Sequence, residues 1–88
     1  MEEINNRDYY HEGMTCITSD QQEIGTVVEI GQNHFRLSTS FLGLGAEYYV
    51  PFSSVERLYD NNIFLNVDKD SLPQMRWELQ PVGWLVVS

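Results

Sequence analysis

Residues 47–67 read EYYVPFSSVERLYDNNIFLNV, and this stretch decides the fold class. Tyr48 and Val50 alternate with their neighbours as in a β-strand, and Pro51, which cannot donate a ladder hydrogen bond, ends the run. Residues 55–59 and 63–67 have the composition of two further strands, and the polar residues 60–62 between them tolerate a left-handed turn. Three strands and a corner in about twenty residues predict an all-β protein and favour a small barrel.

The corner itself and the sequence upstream of it follow the same pattern. Ser53 and Glu56 have capping-box spacing, which predicts a single helical turn between two of the strands. Upstream, residues 14–18, 23–30 and 34–39 predict three more strands. Gly25 lies inside the second of these, where a glycine indicates a bulge or a close approach of another backbone. We expect Phe35, Val50 and Leu65 to be buried.

The sequence downstream predicts a short helix and then an apolar strand. Ser71 and Gln74 form a second capping-box spacing, and residues 72–79 are predicted as the helix, closed by Pro81. Residues 82–87 read VGWLVV, which predicts a strand that covers a sheet edge in its own chain or in a neighbour's. Trp84 is expected to be substantially buried, with its indole N–H hydrogen-bonded.

Length and charge limit the classes of function. The 88 residues make one domain, predicted to span residues 13–88 after a flexible polar arm at residues 1–12. The net charge of −8, with no basic cluster, disfavours binding to nucleic acid or to an anionic membrane surface. The N-terminus lacks the features of a signal peptide, and the longest apolar run is far too short to span a bilayer, so we expect a cytoplasmic protein.

Candidate chemical sites are few. Cys16 is expected to pack as a small hydrophobic residue, because neither His11 nor His34 has a sequence context that would make it a catalytic base. Residues 68–71 (DKDS) lack the central glycine and the distal glutamate of a calcium loop, and residues 43–45 (GLG) lack the lysine of a phosphate loop. We therefore predict no catalytic residue, metal site or cofactor, and no enzymatic activity.

Two pairs of segments resemble a known family. Residues 13–20 (GMTCITSD) and 23–30 (EIGTVVEI) resemble the opening hairpin of PRC-barrel domains, and residues 49–58 (YVPFSSVERL) and 63–65 (IFL) resemble their second half. Residues 68–70 and the region of Trp77 are similar to stand-alone bacterial members. Gln21 departs from the family, whose first turn usually carries glycine. The resemblance implies a barrel of about six strands that acts as an adaptor through protein contacts, as in the photosynthetic reaction-centre H subunit and a ribosome-maturation factor.

The function expected from the residues and the resemblance together is a non-enzymatic protein–protein interaction module that self-associates as a homodimer or contacts another protein. Its candidate surface combines an apolar loop, which is either a flap over the barrel or an exposed contact, with residues of the helix and tail. These residues are Phe41, Leu42, Leu44, Trp77, Val82, Trp84, Leu85 and Val86. The alternative is a small-ligand-binding barrel that uses Tyr48, Tyr49 and Tyr59 at its mouth, although a barrel this small is normally filled by its own side chains.

Overall fold

The computed structural model describes residues 7–39 and 47–84. In these ranges the chain forms six β-strands, one α-helix and three short 3-10 helices. The strands are β1 (Thr15–Ile17), β2 (Glu23–Ile30), β3 (His34–Ser38), β4 (Glu47–Pro51), β5 (Val55–Tyr59) and β6 (Asn62–Leu65). The helix is α1 (Leu72–Met75), and the 3-10 helices span Arg7–Tyr9, Phe52–Ser54 and Lys69–Ser71. The predicted β-rich architecture with a short C-terminal helix is confirmed.

The strands form one mixed sheet in the order β4-β3-β2-β1-β6-β5. Neighbouring strands are antiparallel except β1 and β6, which pair in parallel with Cys16 opposite Ile63. The parallel pair joins the first strand to the last, so that strands far apart in sequence are neighbours inside the sheet. Pairing among the described strands leaves β4 and β5 at the two ends of the order, and the sheet is not closed into a barrel.

Two local features, a tight turn and a glycine, shape the strands. Asp60 and Asn61 have positive φ angles of 51° and 71°, the conformation of the tight two-residue turn that pairs Tyr59 with Asn62. Gly25 lies so close to β3 that an added Cβ would be 2.5 Å from the carbonyl oxygen of Ser38. The predicted close backbone approach at Gly25 is therefore confirmed, since any larger residue would require a backbone shift.

Alternation along the strands builds the core. Phe35, Val50 and Leu65, the three residues predicted to be buried, are inaccessible to solvent, and they pack in one cluster with residues from every strand. Cys16 is equally inaccessible, and its burial raises the pKa of the thiol well above the ordinary value. The prediction that Cys16 packs as a small hydrophobic residue is confirmed.

The predicted boundary between the N-terminal arm and the domain, at residue 13, requires correction, while residues 1–6 of the predicted arm lie outside the described residues. Arg7–Tyr9 forms a 3-10 helix, and Tyr10 is buried in the core. The ring of Tyr10 lies 5.5 Å from the ring of Phe35 and 4.7 Å from that of Phe52, measured between centroids. The packed domain therefore begins before residue 13. The polar residues around Tyr10 concealed the aromatic contact that anchors this segment.

The single helical turn predicted between two of the strands is present at Phe52–Ser54, but neither predicted capping box forms. The turn at Phe52–Ser54 has Pro51 at its N-cap with no side-chain hydrogen bond, and Ser71 at the N-cap of α1 makes none either. Instead, a carboxylate oxygen of Asp68 accepts a hydrogen bond from the backbone N–H of Ser71, 3.1 Å away, and so caps the preceding 3-10 helix. Because the 3-10 helix leads directly into α1 and Ser71 already has a helical backbone conformation, no side-chain cap is needed at the start of α1.

The helix is also shorter than the predicted range of residues 72–79. It ends at Met75, because Arg76 takes the left-handed conformation, with φ of 59°, at the C-cap. Strand β6 likewise ends at Leu65 and not at residue 67. Within the described ranges, no helix is long and apolar enough to cross a membrane.

A polar contact fixes the first hairpin to the start of the helical region. The side-chain hydroxyl of Thr18, which is fully buried, donates to the carboxylate of Asp20 in the turn after β1. The same carboxylate accepts from the backbone N–H of Lys69, 3.2 Å away. The Thr18 hydroxyl, together with the weaker contributions of Lys69, lowers the pKa of Asp20 below its ordinary value. This turn is thereby tied to a segment almost fifty positions away in the chain.

Candidate functional site

Residues 76–84, here called the C-terminal segment, run along the outer edge of β4. The backbone N–H of Tyr49 donates to the carbonyl oxygen of Trp77, 2.7 Å away, at the edge that β4 does not share with β3. The Trp77 side chain is buried and belongs to the core cluster. One backbone hydrogen bond and one buried indole therefore hold the C-terminal segment against the sheet.

The structure separates the residues that the sequence grouped as one interaction surface. Trp77 is an anchor in the core and not a surface residue, which corrects its prediction, because only 6% of it is exposed. Val82 is fully exposed, and Trp84 is partly buried. The remaining candidates, Phe41, Leu42, Leu44, Leu85 and Val86, lie outside the described residues.

The first residues of the predicted C-terminal strand are not extended. Val82 and Gly83 lie in a turn in which the backbone N–H of Trp84 donates to the carbonyl oxygen of Pro81, 3.2 Å away. The ring of Trp84 contacts the ring of Tyr49 edge to face, with 5.1 Å between centroids. The turn thus brings the indole back onto β4 by a side-chain contact and not by strand pairing.

A groove of about 440 Å³ lies between the C-terminal segment and the outer face of the sheet, and we call it the C-terminal groove. Its lining is mainly apolar, with His34 and Arg76 as its basic residues. Leu79 and Val82 line it and are 57% and 105% exposed, which places them among the exposed large hydrophobic residues of the described chain. An exposed apolar pair beside a groove is a feature of a contact surface.

Ionisable side chains lie on the C-terminal groove and in the C-terminal segment beside it. Desolvation lowers the pKa of His34, which favours the neutral imidazole. Arg76 is exposed at the end of α1. Glu78 is exposed two positions later, and its charge adds to the effect of burial in raising the pKa of the Tyr48 hydroxyl. A positive and a negative side chain therefore flank the buried Trp77.

Other described basic residues are engaged elsewhere. Arg36 forms ion pairs across the outer face of the sheet with Glu29 at 2.9 Å and Glu47 at 2.5 Å. These contacts join β2, β3 and β4 through a single guanidinium, and together they raise the pKa of Arg36, against the opposing effect of burial. Arg57 lies over the ring of Phe64, 4.0 Å from its centroid.

A second groove, of about 540 Å³, lies at the other end of the strand order, and we call it the N-terminal groove. Tyr9 and Tyr59 line it and are 49% and 66% exposed, and His11 and Asp60 contribute polar groups. The three tyrosines of the ligand hypothesis are not brought together, since Tyr59 lines this groove and Tyr49 lines the C-terminal groove. The adjacent residues Tyr48 and Tyr49 face opposite sides of β4.

Two kinds of chemical site can be checked in the described ranges, a cysteine nucleophile and a metal centre. The Cys16 thiol is sealed inside the core and cannot serve as a nucleophile there. No group of three or more His, Cys, Asp or Glu side chains in these ranges is arranged to hold a metal ion.

Sequence reasoning missed several residues of the two grooves. Leu79 and Arg76 were placed inside the helix predicted at residues 72–79, whereas the observed helix ends at Met75. The aromatic residue Tyr9 was assigned to the predicted N-terminal arm. The adjacent pair Tyr9 and Tyr10 in a polar segment was the available signal, because one of two neighbouring aromatic residues can be buried while the other lines a surface.

Comparison with known proteins gives one result. No curated protein and no solved structure shows significant similarity to the chain. Residues 11–72 match the profile of the family described as "Uncharacterized protein conserved in bacteria (DUF2171)". The match covers more than half of the chain and includes all six strands. This protein therefore belongs to that family of uncharacterised bacterial proteins.

Proposed function

We propose that the protein is a non-enzymatic interaction module that self-associates through its C-terminal groove. The observation that carries the proposal is the exposure of Leu79 and Val82 beside that groove. Covering them with a second copy would remove apolar surface from water, which is favourable by roughly 25 cal/mol for each Å² buried. The groove would contribute the concave part of the contact, and Val82 the projecting part.

The opposite edge of the sheet is less suited to self-association. Strand β5 carries the exposed charged residues Glu56 and Arg57, and its pairing with β6 is irregular between Val55 and Arg57. Charged side chains and bulges are devices that discourage strand pairing between molecules. The exposed apolar residues Leu79 and Val82 lie at the other end of the sheet, beside β4, and this supports the β4 side as the contact surface.

We further propose that the sheet is of the PRC-barrel type and that the protein acts as an adaptor. The six strands and the motifs at residues 13–30 and 49–65 support this assignment. Domains of that type work through protein contacts, in line with self-association. We propose a cytoplasmic location, because the N-terminal sequence lacks the features of a signal peptide. We expect neither nucleic acid nor a membrane as its partner, because its net charge is −8.

The test is the mass of the full chain in solution, measured by sedimentation equilibrium over a range of concentrations. The parent is expected to be a dimer, and a variant with both Leu79→Ser and Val82→Ser is expected to be monomeric with an unchanged far-UV spectrum. The matched control carries Tyr9→Ser and Tyr59→Ser, which remove the other large hydrophobic side chains that are exposed in the described part of the chain. A monomeric parent, or a variant that dimerises as well as the parent, would contradict the proposal.

A second candidate function is the binding of a small ligand in the N-terminal groove. The groove volume of about 540 Å³ lies within the usual range of ligand pockets, and Tyr9 and Tyr59 offer exposed rings for stacking. A thermal-shift screen of small molecules on the parent and on Tyr59→Ala tests it. Stabilisation of the parent that is lost in Tyr59→Ala would support ligand binding, and no stabilisation by any compound would count against it.

A further inference from the structure

The N-terminal groove is lined by two exposed tyrosines whose segments are held in place by contacts outside the groove. Tyr9 ends the first 3-10 helix, and the next residue, Tyr10, is buried in the core. Tyr59 is the last residue of β5, and the turn that follows it is tied to β1, because the backbone N–H of Thr15 donates to the carbonyl oxygen of Asn61, 3.2 Å away. Both aromatic side chains therefore extend from segments that the fold positions before any ligand binds.

The remaining lining of the groove combines apolar surface with hydrogen-bond acceptors. Met14 is buried, and Leu58 is half-buried. The Nδ1 atom of His11, which also lines the groove, lies 3.0 Å from the carbonyl oxygen of Glu12. Since a carbonyl oxygen only accepts, Nδ1 is the donor of this hydrogen bond, and Nε2 of the neutral ring is left as an acceptor.

The charge of the groove is negative. Asp60 is the one carboxylate among the described lining residues, and none of them is Lys or Arg. Asp60 is exposed and has no hydrogen bond or ion pair with any described residue. The chain as a whole carries a net charge of −8. An anion in this groove would be repelled, and a neutral ligand would leave the carboxylate without an opposite charge.

We propose that the N-terminal groove binds a small organic cation that carries a methylated ammonium group. The faces of the Tyr9 and Tyr59 rings are negative and attract a cation, and the carboxylate of Asp60 balances its charge. Methylation suits this lining, because an unmethylated ammonium group would lose the water that its N–H groups bind, and Met14 and Leu58 offer no acceptor in exchange.

This inference rests on the second candidate function, the binding of a small ligand in the N-terminal groove, and adds the chemical class of that ligand. It does not depend on self-association, which concerns the C-terminal groove at the other end of the strand order. A parent that is monomeric in solution and binds the cation would leave this inference standing.

The test compares choline with its neutral carbon isostere, in which a tert-butyl group replaces the trimethylammonium group. The two molecules have nearly the same shape, so that a difference in affinity reports the positive charge. Binding to the full chain is measured by NMR titration, in which contact with the faces of aromatic rings shifts the methyl proton resonance of choline upfield. The dissociation constant of the isostere is expected to be at least about tenfold higher than that of choline.

Substitutions of Tyr59 and Asp60 locate the site. Tyr59→Leu keeps an apolar side chain but removes the ring, and is expected to raise the dissociation constant of choline about fivefold, whereas Tyr59→Phe keeps the ring and should bind like the parent. Asp60→Asn is expected to raise it about threefold. Asparagine tolerates the positive φ of 51° at this position, so the turn is retained.

The matched control is Glu56→Gln, which removes a carboxylate from an exposed position on β5 that does not line the groove. It is expected to leave the affinity for choline unchanged. Far-UV spectra check that each variant is folded. If Glu56→Gln weakens binding as much as Asp60→Asn does, choline responds to the overall charge of the chain, and the proposed site is wrong.

The other outcomes separate the ligand class from ligand binding itself. If the isostere binds as tightly as choline and Tyr59→Leu weakens both, the groove binds small ligands but the cationic class is wrong. If choline binds Tyr59→Leu and Asp60→Asn as tightly as the parent, it binds elsewhere, and the inference fails. If choline does not bind the parent, the inference also fails, while the thermal-shift screen still decides the candidate function on which it rests.

Discussion

The sheet and the C-terminal segment contain the same kinds of apolar side chain but bury them to different extents. Leu65 on β6 is inaccessible to solvent, whereas Leu79 is 57% exposed; Val50 on β4 is inaccessible, whereas Val82 is fully exposed. Leu65 and Val50 both point into the packed face of the sheet and belong to the core cluster. In the C-terminal segment, Trp77 also reaches that core, but Leu79 and Val82 do not. These two residues are covered by a partner or remain in water, and the stability of the fold depends little on them.

The largest difference between the two regions is expected from the same substitution made in each. Leu65→Ala should reduce the free energy of unfolding by about 2–5 kcal/mol, because it leaves a cavity in the packed core. Leu79→Ala should change it by no more than about 0.5 kcal/mol in the monomer, since the side chain already faces solvent. Urea denaturation of both variants measures the difference. Equal denaturation midpoints for the two variants would show that the buried Leu65 contributes no more to the free energy of unfolding than the exposed Leu79.

A glycine in each region gives a second comparison. Gly25→Ala should cost about 3 kcal/mol, because the new methyl group would meet the backbone of Ser38 at 2.5 Å and one strand must move. Gly83→Ala should cost about 1 kcal/mol, because no atom lies within 4 Å of the new methyl group and only the positive φ of 78° is unfavourable. Thermal denaturation ranks them, and a larger loss for Gly83→Ala would reverse our account of the packing.

A smaller effect is expected from acid, at the contact that ties the first hairpin to the helical region. The lowered pKa of Asp20 means that the folded chain holds this carboxyl ionised at a pH where the unfolded chain has begun to protonate it. Its contribution to stability is therefore complete above the ordinary pKa of 3.8 and is lost as the pH falls through the lower value of the folded state. Asp20→Asn should weaken the dependence of the melting temperature on pH in this acid range.

Asp70→Asn is the control for that measurement, because it removes the same charge from an exposed position near Lys69. If Asp70→Asn and Asp20→Asn flatten the acid dependence equally, the hydrogen bond from Thr18 is not its source.

The last prediction is that an effect is absent, and it concerns nucleic-acid binding by the chain as a whole. The full chain should not bind duplex DNA or structured RNA at physiological salt, because its net charge of −8 opposes contact with phosphates. An electrophoretic mobility assay or fluorescence anisotropy measures this. Micromolar binding to either nucleic acid would show that a local surface overcomes the overall charge.

The strands could be predicted from sequence because their signals are local. Alternation and turn residues gave the bounds of β2 and β5 as the structure has them, and Asp60 and Asn61 marked the hairpin between β5 and β6. The capping spacings at Ser53 and Ser71 failed because a pair of residues at the right separation specifies a helix start only if the backbone approaches it extended. At Ser71 the chain was already helical.

The candidate site was less predictable, because it depends on where the C-terminal segment lies. The sequence marked Trp77 and Val82 equally as apolar surface, yet the first is in the core and the second is in solvent. Nothing in their composition distinguishes them. The distinction arises from the left-handed turn at Arg76 and the hydrogen bond from Tyr49 to Trp77, which together direct one side chain inward.

By itself, the sequence determined the β-rich class, the strand faces, the buried Cys16 and the close approach at Gly25, because each depends on side-chain alternation or steric size at a single position. Only the tertiary structure decided that β1 pairs in parallel with β6, that Tyr10 completes the core, and that the C-terminal segment follows the edge of β4. Contacts between distant parts of a chain are chosen by the packing of all its elements together, and no local pattern records that choice.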